Sequence, residues 1–134
     1  MTRNEARTIL MQILYELDAG KSMDPEIARR LAQERLSGNH RQRGADLLAA
    51  IIEHSEEIDG AINDSSPSWK TGRMPRVDLA IMRLALGEIR YGGDVPEAVA
   101  INEAINLAKE YSTQRSAKFV HGVLGAVLNT EHEK

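Results

Sequence analysis

The sequence predicts an all-α fold, and two features carry the prediction. Apolar residues recur at helical spacing through most of the 134 residues, and no stretch alternates apolar and polar residues as a half-buried strand would. Gly20, Asp24-Pro25, Ser37-Gly38-Asn39, Ser65-Ser66-Pro67-Ser68 and Gly92-Gly93 punctuate the periodic stretches at helix-length intervals. Residues 1–134 read as one domain. A chain of this size buries roughly 65–70% of its unfolded surface, so its core needs no disulfide or metal.

The first helix spans residues 4–19. Ala6, Leu10, Ile13 and Leu17 form its inner stripe, Ile9 and Leu14 widen it, and Gly20 stops it. Arg3, Arg7, Met11 and Tyr15 recur every four residues as an oblique row beside that stripe. Asp24-Pro25 starts a second helix, with a capping carboxylate followed by proline at the first helical position. Ile27, Ala28, Leu31, Ala32 and Leu36 supply its inner face. One long helix over residues 41–62 then buries Leu47, Leu48, Ile51, Ile52, Ile58 and Ile62. Trp69, in the connection that follows, is expected to pack that loop onto the core.

Pro75 opens a helix to residue 91 with Val77, Ala80, Ile81, Leu84 and Ala85 inward. Glu88 falls at the centre of the same face, and a buried carboxylate must be paired or hydrogen-bonded. The expected donors are free amides at the start of a neighbouring helix. After Gly92-Gly93-Asp94-Val95-Pro96, the stripe Ile101, Ala104, Ile105, Ala108 marks the next helix. Ser112-Thr113 breaks it and caps a last one built on Val120, Val123, Leu124 and Val127. Gly122 and Gly125 each cost about 1 kcal/mol inside a helix, which predicts close backbone approach there.

With no cysteine, disulfides, thiolate metal sites and a cysteine nucleophile are excluded. The polar N-terminus MTRNEART and the lack of a long apolar segment predict a cytoplasmic protein with no membrane partner. A net charge of -3 argues against a uniformly basic nucleic-acid binder but leaves room for a local basic face. Residues 29–43 carry five arginines against Glu34 alone, and residues 53–64 carry five acids and no base. Solvated helix surface is the plain reading of both runs, and the preferred one for the acidic run.

No phosphate-binding glycine loop, GxSxG elbow or paired-histidine helix is present. His54 and Glu57 share a helix face, but a zinc site needs three or four converging ligands. The expectation is therefore no enzyme, catalytic residue, metal or cofactor, but a binding protein. Single-stranded RNA is held by cations along its backbone and by aromatic faces that stack unpaired bases. Phe119 beside Lys118 and near Arg115 could supply both, and the first-helix row adds Arg3, Arg7 and Tyr15.

The segment VPEAVAINEAINLAKEYSTQRSAKFVHGVL resembles the C-terminal signature of the NusB family of transcription antitermination factors, which typically reads DVP, VAINEA, LAK and KFVNGVL. ARTILMQILYELD and VDLAIMRLALGEI resemble its N-terminal and central segments, so the likeness spans nearly the whole chain. The resemblance implies about seven helices in two packed halves. It implies binding of boxA, a single-stranded element of nascent RNA, together with NusE, a small-subunit ribosomal protein. The pair would act in an RNA polymerase antitermination complex that reads through terminators, especially in ribosomal RNA operons. By position it marks Arg3, Arg7, Gln12, Tyr15, Lys118 and Phe119 for RNA, and Asp78, flanked by Arg76 and Arg83, for NusE. Arg115 stands where the family is often acidic, which would strengthen phosphate contact. His121 replaces the usual Asn of KFVNG. The family also forms homodimers, so an interaction domain or homodimer without autonomous RNA binding is the alternative.

Overall fold

In the computed structural model, which describes residues 1–133, the chain forms seven helices: α1 (Arg3–Ala19), α2 (Pro25–Arg35), α3 (His40–Glu53), α4 (Ser55–Asp64), α5 (Arg76–Tyr91), α6 (Glu97–Tyr111) and α7 (Gln114–His132). α1, α2 and α3 pack together as one half, and α4, α6 and α7 gather around α5 as the other. α5 joins the halves by packing against α1 and α3 as well. Every residue from Asp78 to Glu88 is consequently buried, so α5 is enclosed all round instead of on one face. Among the described residues no helix is long and apolar enough to cross a membrane.

The helix starts follow local chemistry. Thr2 and Glu5 form a reciprocal capping box at α1, with the Glu5 amide 3.1 Å from Thr2 Oγ1. The Asp24 carboxylate accepts from the amides of Glu26 and Ile27 at 2.8 and 3.1 Å. Thr113 Oγ1 accepts from the Ser116 amide at 2.9 Å and begins α7.

Several expectations are corrected. The single helix over residues 41–62 is two, broken at His54 (φ -108°, ψ 23°). The His54 Nδ1 lies 2.8 Å from the Ala50 carbonyl, and its ring stacks on Tyr91 with centroids 4.6 Å apart. The Ala50 carbonyl keeps its bond from the His54 amide at 3.0 Å, so the imidazole shares this acceptor at the end of α3 without displacing the backbone. The close-approach glycines are not Gly122 and Gly125, where an added Cβ meets nothing within 4 Å, but Gly44 and Gly87. A Cβ on Gly87 would lie 2.3 Å from Ile51 Cγ1, so the missing side chain is what lets α3 seat on α5. On α6 the buried set is Ala100, Ala104, Leu107 and Ala108, with Ile101 and Ile105 half-buried at its margin. The arginine run is not free surface either: Arg29 pairs with Asp46 at 2.6 Å, and Arg35 with Glu16.

Candidate nucleic-acid interface

The corner where α6 passes into α7 is held by hydroxyls. Ser112 and Thr113 both reach Ser116 Oγ, at 2.8 and 3.1 Å. This fixes the start of α7 and orients its first two turns. Ser116, Ala117, Val120 and Val123 face the core. Arg115, Lys118, Phe119 and Gly122, spaced i, i+3, i+4 and i+7, fall on the adjoining face and line a cleft of about 390 Å³. The opposite wall is the loop from Ser65 to Trp69. Trp69 does not pack into the core as expected. The residue is 44% exposed, and its ring meets Phe119 edge to face, with centroids 5.4 Å apart and planes at 72°. Sequence reasoning missed this residue because a loop tryptophan carries no periodic signal, although its isolation between two breaks marked the loop.

A second groove of about 240 Å³ runs along the other side of Lys118, between α6 and α7, and holds Lys109 and His121. His121 is exposed and its imidazole makes no hydrogen bond within the chain among the described residues, so it has no structural debt to meet in place of an asparagine. A third groove is lined by Asn4, Glu5, Thr8 and Ile9 of α1 and by Glu110 and Tyr111, the latter 41% exposed, at the end of α6; its charged residues are both acidic, unlike those of the first cleft. Both ends of the candidate surface thus adjoin the α6–α7 corner. Tyr111 is a further aromatic that the sequence reading did not single out.

Ion pairing sorts the predicted cations. Among the described residues none of Lys109, Arg115 and Lys118 has a carboxylate within ion-pair distance, whereas Arg3, Arg7, Arg76 and Arg83 all do. Arg3 reaches Asp94 at 3.5 Å on the surface, a weak exposed contact. Arg7 is buried, and its Nε donates to both Glu88 carboxylate oxygens, at 2.9 and 3.1 Å. Two readings change together: Glu88 is satisfied by a guanidinium and not by helix amides, and Arg7 is not a free surface cation. Gln12 and Tyr15 remain exposed on α1.

The three residues marked for a protein partner differ in accessibility. Arg76 is half-buried and forks onto Asp18 at 2.8 and 3.1 Å. Arg83 is buried, forks onto Asp59 at 2.9 and 2.7 Å, and lies 3.5 Å from Asp18. This chain of charges ties α1, α4 and α5 together and uses one member of the acidic run that the sequence reading assigned to solvent. Asp78 is 1% exposed, and neither carboxylate oxygen has a hydrogen-bond partner among the described residues.

The arrangement offers aromatic faces next to unpaired cations on a scaffold of fixed helices. Among the described residues no group of three or more His, Asp or Glu could hold a metal ion. The family model of NusB matches residues 4–129. The chain belongs to the NusB family. It is 41% identical to the transcription antitermination protein NusB of Acetivibrio thermocellus, over 98% of this chain and 91% of that protein. It is 37% identical to the protein of the same name from Thermoanaerobacter pseudethanolicus, over 98% and 93%. The fold is similar to that of NusB from T. maritima, with a TM-score of 0.84 and 28% identity over 95% of this chain and 90% of that one. It is also similar, in fold alone, to a chain from a solved complex of antitermination factors NusB and NusE with dsRNA (TM-score 0.81, 23% identity, covering 97% and 99%).

Proposed function

We propose that this NusB-family protein is a transcription antitermination factor that binds boxA RNA together with NusE and joins the RNA polymerase complex in the cell interior. It works by binding and carries out no reaction of its own. The family match supports the role, and one observation in the site carries the RNA reading: Arg115 and Lys118 line one cleft with Phe119 without carboxylate partners among the described residues, in a chain whose other predicted cations, Arg3, Arg7, Arg76 and Arg83, are already paired. Cations without carboxylate partners are free to displace the counterions of a phosphate backbone.

In this reading Arg115 and Lys118 take phosphates and Phe119 offers an apolar edge to a base. Arg3, Gln12 and Tyr15 extend the path along α1. Arg7 contributes as a positioning residue, because its guanidinium ties α1 to α5 and so sets where Arg3 and Tyr15 stand. Arg76 is the accessible member of the NusE-facing set. Arg83 acts from inside α5 by holding that face in place through Asp59 and Asp18.

The decisive experiment titrates boxA RNA and a scrambled strand against the protein, with and without NusE, and repeats the titration with Phe119→Ala and Lys118→Ala. Preference for boxA, weakened in both variants, is the expected outcome. Equal affinity for the scrambled strand even with NusE present would refute the function, and wild-type affinity in both variants would refute the site.

A further inference from the structure

We propose that the cleft lined by the Trp69–Phe119 ring pair is a slot for a single unstacked nucleobase of the bound RNA, with the free face of Trp69 as its stacking surface and Arg115 and Lys118 holding the flanking phosphates. This rests on the RNA reading above and adds to it a residue and a subsite on the α4–α5 connection.

Four observations lead there. Trp69 is almost half exposed, yet its backbone is pinned. Ser66 Oγ donates to the Trp69 carbonyl at 2.5 Å, the Lys70 ammonium donates to the carbonyls of Asn63 and Ser66, and the Thr71 amide donates to Asn63 Oδ1 at 2.7 Å. An exposed aromatic on a fixed backbone is preorganised for a flat ligand, because little conformational freedom remains to be lost on binding. The two rings stand at 72°, forming a corner in which a base lying against one presents its edge to the other. The cleft of about 390 Å³ is of ligand-site size. Its charged lining residues are both cations, and neither has a carboxylate partner among the described residues.

That charge selects the occupant. An apolar protein segment would fit the rings but would leave Arg115 and Lys118 idle at the rim. A base with phosphates on either side uses the rings and the cations together. Ser65 and Ser68, whose hydroxyls donate no hydrogen bond within the chain among the described residues, also line the cleft and offer donors for a base edge. Gly122 keeps the slot open: a Cβ there would meet nothing within 4 Å, so a larger side chain would project into free space without disturbing the helix packing.

The test uses the fact that Trp69 is the sole tryptophan. The full chain is labelled with 5-fluorotryptophan and followed by 19F NMR, so that any tryptophan of a partner stays silent. BoxA RNA affinity is measured in parallel for wild type, Trp69→Ala, Trp69→Phe and Gly122→Leu, with and without NusE. The expected result is a 19F line that moves when RNA binds. Affinity should fall roughly 5- to 100-fold in Trp69→Ala, the range for loss of one base–aromatic stack. A similar fall is expected in Gly122→Leu, whose thermal melt stays at or above wild type and so excludes unfolding as the cause. Trp69→Phe should keep most of the affinity. If wild type binds boxA while Trp69→Ala and Gly122→Leu bind it equally well, the slot is refuted and the RNA function stands. If the line moves with NusE alone and not with RNA, the cleft is a protein-docking site and the proposal fails. If wild type shows no preference for boxA under any condition, the RNA reading fails and this inference fails with it.

Discussion

Arg7, in the second turn of α1, places its Nε 2.9 and 3.1 Å from the two carboxylate oxygens of Glu88, near the end of α5, with the two side chains only 8% and 3% exposed. The pair fastens the N-terminal half of the molecule to its central helix. Removing one charge strands the other in the interior, which costs about 3–5 kcal/mol in comparable cases. Glu88→Gln or Arg7→Met should therefore lower stability by about that amount in urea denaturation. The double variant Arg7→Met with Glu88→Leu should recover most of the loss, since a packed apolar pair leaves no unpaired charge. A double variant no more stable than the singles would count against this account.

The salt dependence of RNA binding separates the two kinds of arginine. Each phosphate contact on a single strand adds about 0.7 to the slope of log K against log salt. Arg115→Ala and Lys118→Ala should each reduce the slope by about that amount. The Arg7→Met, Glu88→Leu double variant should leave it unchanged, because a buried, paired guanidinium releases no phosphate counterion. A reduced slope in the double variant would make Arg7 a direct contact.

Gly87 and Gly122 should respond oppositely to the same change. At Gly87 a Cβ would sit 2.3 Å from Ile51 Cγ1 and 2.4 Å from its Cδ1, and Ile51 is fully buried. Gly87→Ala should cost about 1–3 kcal/mol despite its better helix propensity. Adding Ile51→Ala removes both clashing atoms, so the double variant should lose less than the sum of the singles. Gly122→Ala meets open space and should gain up to about 1 kcal/mol from propensity. Thermal melts of the four proteins check all of this.

Burial pushes the Asp18 carboxyl up, but a hydrogen bond from Arg76 and the charges of Arg83 and Arg76 outweigh it and hold the group below its ordinary value. A carboxylate depressed in the folded state binds fewer protons there than in the unfolded chain. Its stabilisation is complete above the unfolded pKa of about 3.9 and is lost as pH falls through the folded value. Asp18→Asn should be less stable than wild type at pH 7, and the gap should close below about pH 4. A gap independent of pH would disprove the linkage.

His132, in the last turn of α7, places Nε2 2.9 Å from the Glu97 carboxylate in the first turn of α6. The Glu97 hydrogen bond and charge raise the imidazole above its ordinary value. The sign is opposite to that of Asp18: the contact is fully formed below about pH 6.5 and is lost as pH rises through the raised folded value. An NMR titration should place the His132 midpoint lower in Glu97→Gln than in wild type.

Much of the fold was legible because its signals are local. The stripe Ala6, Leu10, Ile13, Leu17 and the Asp24-Pro25 start each encode a relationship within one helix, and the helices there end within a residue or two of the reading. The break at His54 escaped it, since no proline or glycine marks it and the ring that His54 stacks on, Tyr91, belongs to another helix. In the site, Arg115, Lys118 and Phe119 were found from spacing and motif. Trp69 and Tyr111 emerged only when the loop and the end of α6 came into place beside α7 and α1.

The all-α class, the helix starts at Asp24 and Thr113, the family, and the anomaly of a carboxylate on the inner face of α5 are written in the order of the residues. Which group answers that carboxylate, which glycine admits a neighbour, and which cations stay free depend on how the helices pack. Periodicity is set by the 3.6-residue turn and is written in neighbouring residues. Arg7 and Glu88 lie 81 positions apart, and their meeting depends on how two helices pack.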